Sequence, residues 1–437
     1  MTLAALPSQL LKDFTVSTQQ LENLIELFLY DMREGLAQRH SSLAMLPSYL
    51  SKPSGQETGI FLALDFGGTN VRALKINLQG NGKFQVLERQ DAPLVSADDG
   101  YNYIASTATA EQLFDFLAAK LAALATESNQ YVLGHAFSFP CRMSNIEHAE
   151  LLYWTKELAT SGVVGKNIVE LLNTAFVRKG IRNIKAAAIL NDSISALLAA
   201  AYKDTRTDIG SICGTGHNTC YLEPSYTQTA YAKPMYINME SGNFDKVPQN
   251  RYDKVLDKNS DRPGAGRLEK MCSGRYIGEL FRLACYDLID NGVLPQSLST
   301  ISLPSTAVTG KEMAGLAADS SHNLQAINAW LSQLGWIKSS QEERMYLQNL
   351  ATLIVQRSAR LVAATYAATL RHIDPEFSKQ HVIAIDGSLY EKMPGYASKI
   401  TETLYELLGK NANKIQCKLS KDGSGVGAAV AAATTLS

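Results

Sequence analysis

Two short glycine-containing segments carry polar residues that could do phosphate chemistry. In the first, an apolar run over residues 60–64 ends on Asp65 and turns through Gly67, Gly68, Thr69 and Asn70 to Arg72. Backbone N–H groups in such a turn form a concave anion site, and the neighbouring aspartate suits a bound cation. An ordinary tight hairpin could contain the same residues, so this segment alone leaves both interpretations open.

The second segment repeats this arrangement later in the chain. An apolar run over 209–213 leads into Gly214, Thr215, Gly216, His217 and Asn218, and a further strand-like run, 219–222, follows. Two such turns indicate a duplicated lobe with a cleft between the copies. Because a strand rather than a helix follows, the second turn is not a Rossmann dinucleotide fingerprint.

A third polar site lies where a predicted strand passes into a predicted helix. Asn191 and Asp192 separate the apolar run 186–190 from the helical pattern 193–202. Both residue types are favoured helix caps, so capping alone could account for them. However, open α/β sheets bind ligands beyond the carboxyl ends of their strands, where Asp192 lies.

The elements that must position these residues alternate between strands and helices, which favours an α/β fold. The clearest strands are predicted at 60–66, 131–137, 186–190, 209–213, 234–239 and 382–385, and the clearest helices at 17–35, 109–124, 167–178, 193–202 and 350–370. We also predict one helix from 266 to 284 and a long loop over 141–156. The glycine-rich residues 422–427 open the last helix and could bind phosphate.

The bulk composition excludes several functional classes. The net charge of -1 comes from 41 basic and 42 acidic residues in 437, so no global field attracts nucleic acid or anionic lipid. No apolar run reaches the length that spans a bilayer, and the amino terminus lacks a signal-peptide pattern. The six scattered cysteines are typical of buried free thiols in a reducing compartment. These features predict a cytoplasmic protein without nucleic-acid or membrane partners.

Taken in order, these residues make the chain resemble the hexokinases of the eukaryotic type, with one catalytic unit. The resemblance begins near Ser17 and continues to the last helix. It rests on ten segments, at residues 64–72, 137–140, 154–156, 191–193, 214–218, 238–240, 268–270, 278–279, 386–388 and 422–425. Ten motifs in the right order are far more specific than any one of them.

The resemblance implies two ribonuclease-H-like lobes of the actin/hexokinase ATPase type around a deep cleft. We expect residues 59–190 plus 423–437 to form a small lobe, and 1–58 plus 191–422 a large one. The implied reaction is ATP-dependent phosphorylation of a hexose, most simply glucose, at its 6-hydroxyl. Mg²⁺ would enter with ATP near Asp65 and Asp192 without direct side-chain ligation, and the protein would be a monomer or homodimer.

The resemblance also assigns roles to individual residues. Asp192 would be the general base, with Lys156 as a second catalytic residue. The hexose would be bound by Ser138, Phe139, Pro140, Thr155, Lys156, Asn191, Asp192, Gly216, Asn218, Glu240 and Glu269. ATP would be bound by Asp65, Gly67, Gly68, Thr69, Asn70, Arg72, Gly214, Thr215, Gly387 and Ser388.

Three positions depart from the family pattern and keep alternatives open. Ser193 stands where threonine is common, Ser241 follows Glu240 where tryptophan is usual, and Glu157 replaces a glycine. A kinase that prefers fructose, mannose or an amino sugar is therefore one alternative. A catalytically silent sugar sensor is another, although the intact Asp192 and Lys156 argue against it. An actin-like filament protein would not need the sugar-facing carboxylates.

Overall fold

The structure is a computed structural model that describes residues 6–155, 157–227, 233–295, 308–421 and 423–436. Its α-helices are α1 (Ser8–Phe14), α2 (Thr18–Leu36), α3 (Ala110–Ala122), α4 (Ile168–Arg178), α5 (Asp192–Lys203), α6 (Arg251–Lys258), α7 (Arg267–Cys272), α8 (Ile277–Asp290), α9 (Gly310–Ala318), α10 (Gln325–Gln333), α11 (Gln341–Ile373), α12 (Ser388–Lys392), α13 (Tyr396–Leu408) and α14 (Gly423–Thr434). Its strands are β1 (Leu46–Pro47), β2 (Thr58–Phe66), β3 (Asn70–Gly80), β4 (Lys83–Pro93), β5 (Val95–Ser96), β6 (Tyr101–Asn102), β7 (Tyr131–Phe137), β8 (Cys141–Asn145), β9 (His148–Leu151), β10 (Ile184–Leu190), β11 (Thr207–Cys213), β12 (His217–Tyr226), β13 (Lys233–Asn238), β14 (His381–Asp386) and β15 (Ile415–Leu419).

Two sheets of the same topology form the scaffold. One has the order β10-β7-β2-β3-β4, and the other has the order β1-β13-β12-β11-β14-β15. In each, three consecutive strands form an antiparallel meander, and two later strands join in parallel beside the first of them. We call the unit on the five-stranded sheet the small lobe and that on the six-stranded sheet the large lobe. The repeat confirms the duplication predicted from the two glycine turns.

Strand β2 is buried on both faces, as its unbroken apolar run predicts. Leu62 and Leu64 enter a core shared with α3 and α4. Phe61 and Ala63 enter a second core that contains residues of α5, of α14 and of the large-lobe sheet. The two lobes are therefore joined behind β2 by an apolar layer built on α5 and α14.

Glycines allow α14 to pack closely between the lobes. A Cβ on Gly427 would stand 1.8 Å from the carbonyl oxygen of Ser195 in α5, and one on Gly134 of β7 would stand 1.8 Å from that of Ala428. At such distances no side chain fits, so the backbones of α5, α14 and β7 meet directly. Close packing explains Gly423 and Gly427 better than the predicted phosphate loop, in which Asp422 lies outside the described residues.

Two predicted elements were wrong. The long loop predicted over 141–156 contains the hairpin β8–β9. Strand β8 is largely polar, and the polar–apolar alternation of β9 extends over only four residues. The single helix predicted over 266–284 is two helices, α7 and α8. The helix breaks because the amides of Gly274 and Arg275 donate to the carbonyls of Gly214 and Thr215 instead of continuing it.

The structure also describes the cysteines, the apolar character of the helices and the first residues of two predicted helices. The six cysteines are all unpaired, four of them buried and two half-buried. Among the helices of the described ranges, none combines the length and apolar character needed to cross a bilayer. Helices α2 and α3 begin with capping boxes at Ser17 and Thr109, the residues from which the two helices were predicted.

Candidate active site

Strand ends of the small lobe bring three predicted residues to one edge of its sheet. The parallel strands β2, β7 and β10 end side by side, with Phe66 beside Phe137 and Leu190 beside Ala136. Gly67, Ser138 and Asn191 follow these ends directly. The amide of Ser138 donates to the carbonyl of Phe66 at 3.1 Å, and a Cβ on Gly67 would stand 3.2 Å from the Ser138 hydroxyl. The first glycine turn is thus next to the predicted sugar residues.

Asp192 is the first residue of α5, and Asn191 is its N-cap. The Asn191 side chain accepts from the amide and the hydroxyl of Ser193, at 2.9 and 2.7 Å. Because Asn191 supplies the cap, the Asp192 carboxylate is not needed for that role. Among the described residues, the Ser193 amide donates to its Oδ1 at 2.8 Å.

A chain of hydrogen bonds links this position to the second glycine turn. The side-chain Nδ2 of Asn218 donates to the Ser193 hydroxyl at 3.4 Å and to Asn238 Oδ1 at 2.9 Å. Asn238 in turn donates to Glu240 Oε1 at 2.8 Å. The structure therefore brings Asn191, Asp192, Asn218 and Glu240 together across the start of α5 and the ends of β12 and β13.

Glu269 is held against the same turn. Its Oε2 accepts the amide of His217 at 2.9 Å, and a Cβ on Gly216 would stand 2.9 Å from that oxygen. Burial raises the pKa of the Glu269 carboxyl, although the His217 amide and nearby cations act against it. Burial also lowers the pKa of His217 to about 4, which keeps its ring neutral.

Several of the residues predicted to bind the sugar lie near Trp154 in the small lobe. Phe139 is buried in an aromatic cluster, 5.3 Å from the Phe66 ring and 4.9 Å from that of Trp154. Its side chain therefore belongs to the core rather than to an open surface. Pro140 and Thr155 are half-buried beside it. Lys156 lies outside the described residues.

The first glycine turn carries charged side chains at its base. Arg72 Nη1 is 3.4 Å from Asp65 Oδ2, and its Nε is 3.7 Å from Asp91 Oδ1. Thr69 and Asn70 are exposed at the tip. A Cβ added to Gly68 would meet no atom within 4 Å, so this glycine borders open space.

The second turn opens onto a cavity of about 920 Å³ in the large lobe. Thr215 and Ser388, both predicted to bind ATP, line it. Gly387 has a φ of 125°, and a Cβ there would stand 2.7 Å from the amide nitrogen of Gly214. Gly387 therefore has no room for a side chain, and a Cβ on Gly214 would stand 3.3 Å from the Cα of Gly387.

Sequence reasoning missed most residues of this cavity. Its further polar lining includes Arg275, Glu279, Thr309, Lys311 and Lys392. Residues 291–345 contain no sequence motif that indicates a function. Thr309 forms a capping box with Glu312 and so begins α9. That T-x-x-E pattern was visible in the sequence, but it gives no hint that segments more than 30 residues apart form one wall.

The carboxylates do not form a metal cage by themselves. Within the described part of the chain, no group of three or more His, Cys, Asp or Glu side chains could hold a metal ion. A cation that arrives with a nucleotide needs only one or two protein carboxylates. Asp65 is the penultimate residue of β2, and Asp192 lies two residues beyond the end of β10.

Comparisons with known proteins point to one family. Two family models, both described as hexokinase, match residues 7–202 and 208–434. Hexokinase-1 of Schizosaccharomyces pombe is 32% identical over 97% of this chain and 90% of its own length. The hexokinase of Emericella nidulans is 34% identical over 97% of this chain and 89% of its own length.

Solved structures give the same result. A crystal structure of a hexokinase covers 98% of both chains with a TM-score of 0.87 and 32% identity. The hexokinase from Schistosoma mansoni, solved with glucose, covers 98% of this chain and 97% of its own with a TM-score of 0.82 and 30% identity. The chain therefore belongs to the hexokinase family and is an enzyme that phosphorylates hexoses with ATP.

Proposed function

We propose that Asp192 is the general base that takes the proton from the hexose 6-hydroxyl. The observation that carries this proposal is the position of the Asp192 carboxylate at the start of α5, where Asn191 is the N-cap and Asp192 Oδ1 accepts the Ser193 amide, beside the hydrogen-bonded network of Asn218. As the O6–P bond forms, the bond from the γ-phosphorus to the bridging oxygen of ATP breaks. The proton passes to the carboxylate, and ADP leaves. A positioned base of this kind contributes roughly 10²- to 10⁴-fold in rate.

The sugar hydroxyls are proposed to bind the hydrogen-bonding network around Asn218. Carboxylates accept two bonds and amides both donate and accept, which suits hydroxyls that do both. Asn191, Asn218 and Glu240 provide such groups within one hydrogen-bonded network, and Glu269 lies against the adjacent backbone amide of His217. Ser138, Pro140, Thr155 and Lys156 would close the pocket from the small lobe, and Phe139 would support it from the core. Buried polar groups of this kind discriminate against analogues that lack a hydroxyl.

ATP is proposed to lie with its phosphates between the two glycine turns and its nucleoside in the 920 Å³ cavity. Thr215, Gly387 and Ser388 would face the nucleotide there. Arg72 and the amides of residues 67–70 would face the phosphates. Mg²⁺ bound to the β- and γ-phosphate oxygens would neutralise charge, near Asp65 and Asp192.

We infer that the lobes divide near residues 58, 190 and 422 and close on the hexose. The apolar layer of α5 and α14 joins both lobes, which suits a hinge. Closure excludes water, which would otherwise compete with the sugar for ATP. Six unpaired cysteines suit a reducing, cytoplasmic location, and a role at the entry of sugar into glycolysis follows from the reaction. A monomer or homodimer is expected.

Glucose is the proposed preferred substrate, since the solved relative from Schistosoma mansoni was bound to glucose. The small, fully buried Ser241 beside Glu240 favours one alternative, a pocket shaped for fructose, mannose or an amino sugar. Initial rates of ADP release over a panel of these sugars test the proposal. The highest kcat/KM for glucose would support it, and a tenfold preference for another sugar would overturn the substrate assignment alone.

A further inference from the structure

A contact between the lobes lies away from the α5–α14 layer. Arg262 Nη2 donates to the Tyr153 hydroxyl at 3.4 Å, and its guanidinium carbon stands 5.2 Å from the centre of the Tyr153 ring. The two residues are 109 positions apart in the chain. Tyr153 follows β9 in the small lobe, and Arg262 lies between α6 and α7 in the large lobe.

Both partners are fixed by their own lobes. Next to Tyr153, the Trp154 ring packs in the aromatic cluster, and its Nε1 donates to the carbonyl of Thr160 at 2.9 Å. On the other side, the carbonyl of Arg262 accepts from the buried Lys270 at 2.7 Å, and Lys270 also bonds Asp257. The pair therefore joins two segments that are each held by packing or hydrogen bonds within their own lobe.

The pair also lies beside the sugar-binding groups of both lobes. Tyr153 comes two residues before Thr155, and the loop that carries Arg262 leads into α7, which carries Glu269. Asp261, next to Arg262, bonds Arg275 at 2.7 Å in the wall of the nucleotide cavity. Separation of the lobes by a few ångström would break the Tyr153–Arg262 contact, because neither a hydrogen bond nor a cation–π contact reaches that far.

We propose that the Tyr153–Arg262 pair is a positioning latch that stabilises the closed lobes over the hexose. This inference rests on the proposed function and adds to it two residues that have no part in the chemistry. A contact made only in the closed state shifts the population toward that state. Because the closed state binds hexose more tightly, the pair raises hexose affinity while leaving the phosphoryl-transfer step itself unchanged.

The test measures the glucose dissociation constant without ATP, by tryptophan fluorescence, in the full-length enzyme. Arg262→Ala and Tyr153→Ala should each weaken binding by roughly two- to five-fold, the range expected for an exposed cation–π contact. Tyr153→Phe should keep most of the affinity, and Tyr153→Trp should bind glucose more tightly than the wild type, since indole is the better partner. The double variant Tyr153→Ala/Arg262→Ala should bind glucose no more weakly than the single variant with the lower affinity.

Arg251→Ala is the matched control. Arg251 stacks on Tyr252 at 4.8 Å, but both residues belong to the large lobe. This change should leave glucose affinity as in the wild type. Additive effects of the two latch substitutions, or equal effects of Arg262→Ala and Arg251→Ala, would overturn the latch. A wild-type enzyme that binds and phosphorylates no hexose would instead overturn the proposed function.

Discussion

Gly68→Ala separates binding of the phosphates from stability of the fold. Gly68 does not adopt a positive φ, and a Cβ there would meet nothing within 4 Å, so the free protein has room for the methyl group. Removing a glycine restricts the unfolded chain, and we expect a stabilisation of about 0.4–1 kcal/mol. In the complex, the methyl group would occupy the space proposed for a phosphate.

The cost to ATP binding follows from the hydrogen bonds lost. A hydrogen bond from a backbone amide to a charged phosphate contributes about 1.5–3 kcal/mol, so the loss of one such bond lowers kcat/KM for ATP roughly 10- to 150-fold. The hexose KM should change little. Coupled ADP release at varied ATP gives the kinetics, and thermal unfolding gives Tm.

Gly315→Ala provides the comparison, since a Cβ on this residue of α9 also meets nothing within 4 Å. Both variants should melt at or above the wild-type Tm, and only Gly68→Ala should lose ATP affinity. An unchanged KM for ATP in Gly68→Ala would refute the location of the phosphates. A lower Tm would refute the claim that the turn borders open space.

Two further experiments test the electrostatics. Burial raises the pKa of Glu269, so on acidification the hexose affinity of the wild type should fall at a pH above the pKa of an ordinary glutamate. Glu269→Gln should bind hexose weakly at neutral pH and should lack this pH-dependent step. The hexose KM measured against pH checks this, and parallel profiles for the two proteins would contradict it. Arg357 donates two hydrogen bonds to the buried Asp253, at 2.9 and 2.5 Å. Arg357→Met should lower the free energy of unfolding by about 3–5 kcal/mol, because it leaves the Asp253 charge buried and unpaired. The double variant Arg357→Met/Asp253→Asn should lose less, and urea unfolding measures both. Equal losses in the two variants would exclude an unpaired buried charge as the cause.

Local signals in the sequence were sufficient for the strand ends and the glycine turns. The apolar run of β2, its Asp65 end and the capping pattern at Asn191 each depend on a few neighbouring residues, and all three lie in the elements predicted. The duplication was also visible, because both lobes repeat a strand, a glycine turn and a strand.

Long-range contacts account for what the sequence could not reveal. The break between α7 and α8 depends on hydrogen bonds to Gly214 and Thr215, some 60 residues earlier. The glycines of α14 looked like a phosphate loop because their partner, α5, lies more than 200 residues away. The nucleotide cavity likewise combines Thr215, Thr309 and Ser388, which no local pattern connects.

The most direct test of the account is single-turnover phosphorylation of glucose by Asp192→Asn. The asparagine keeps an oxygen for the Ser193 amide, so α5 should start unchanged. The account predicts that the rate falls by at least ~10²-fold, because the proton acceptor is lost, while glucose affinity stays within a few-fold of the wild type. A rate within tenfold of the wild type would show that another group removes the proton.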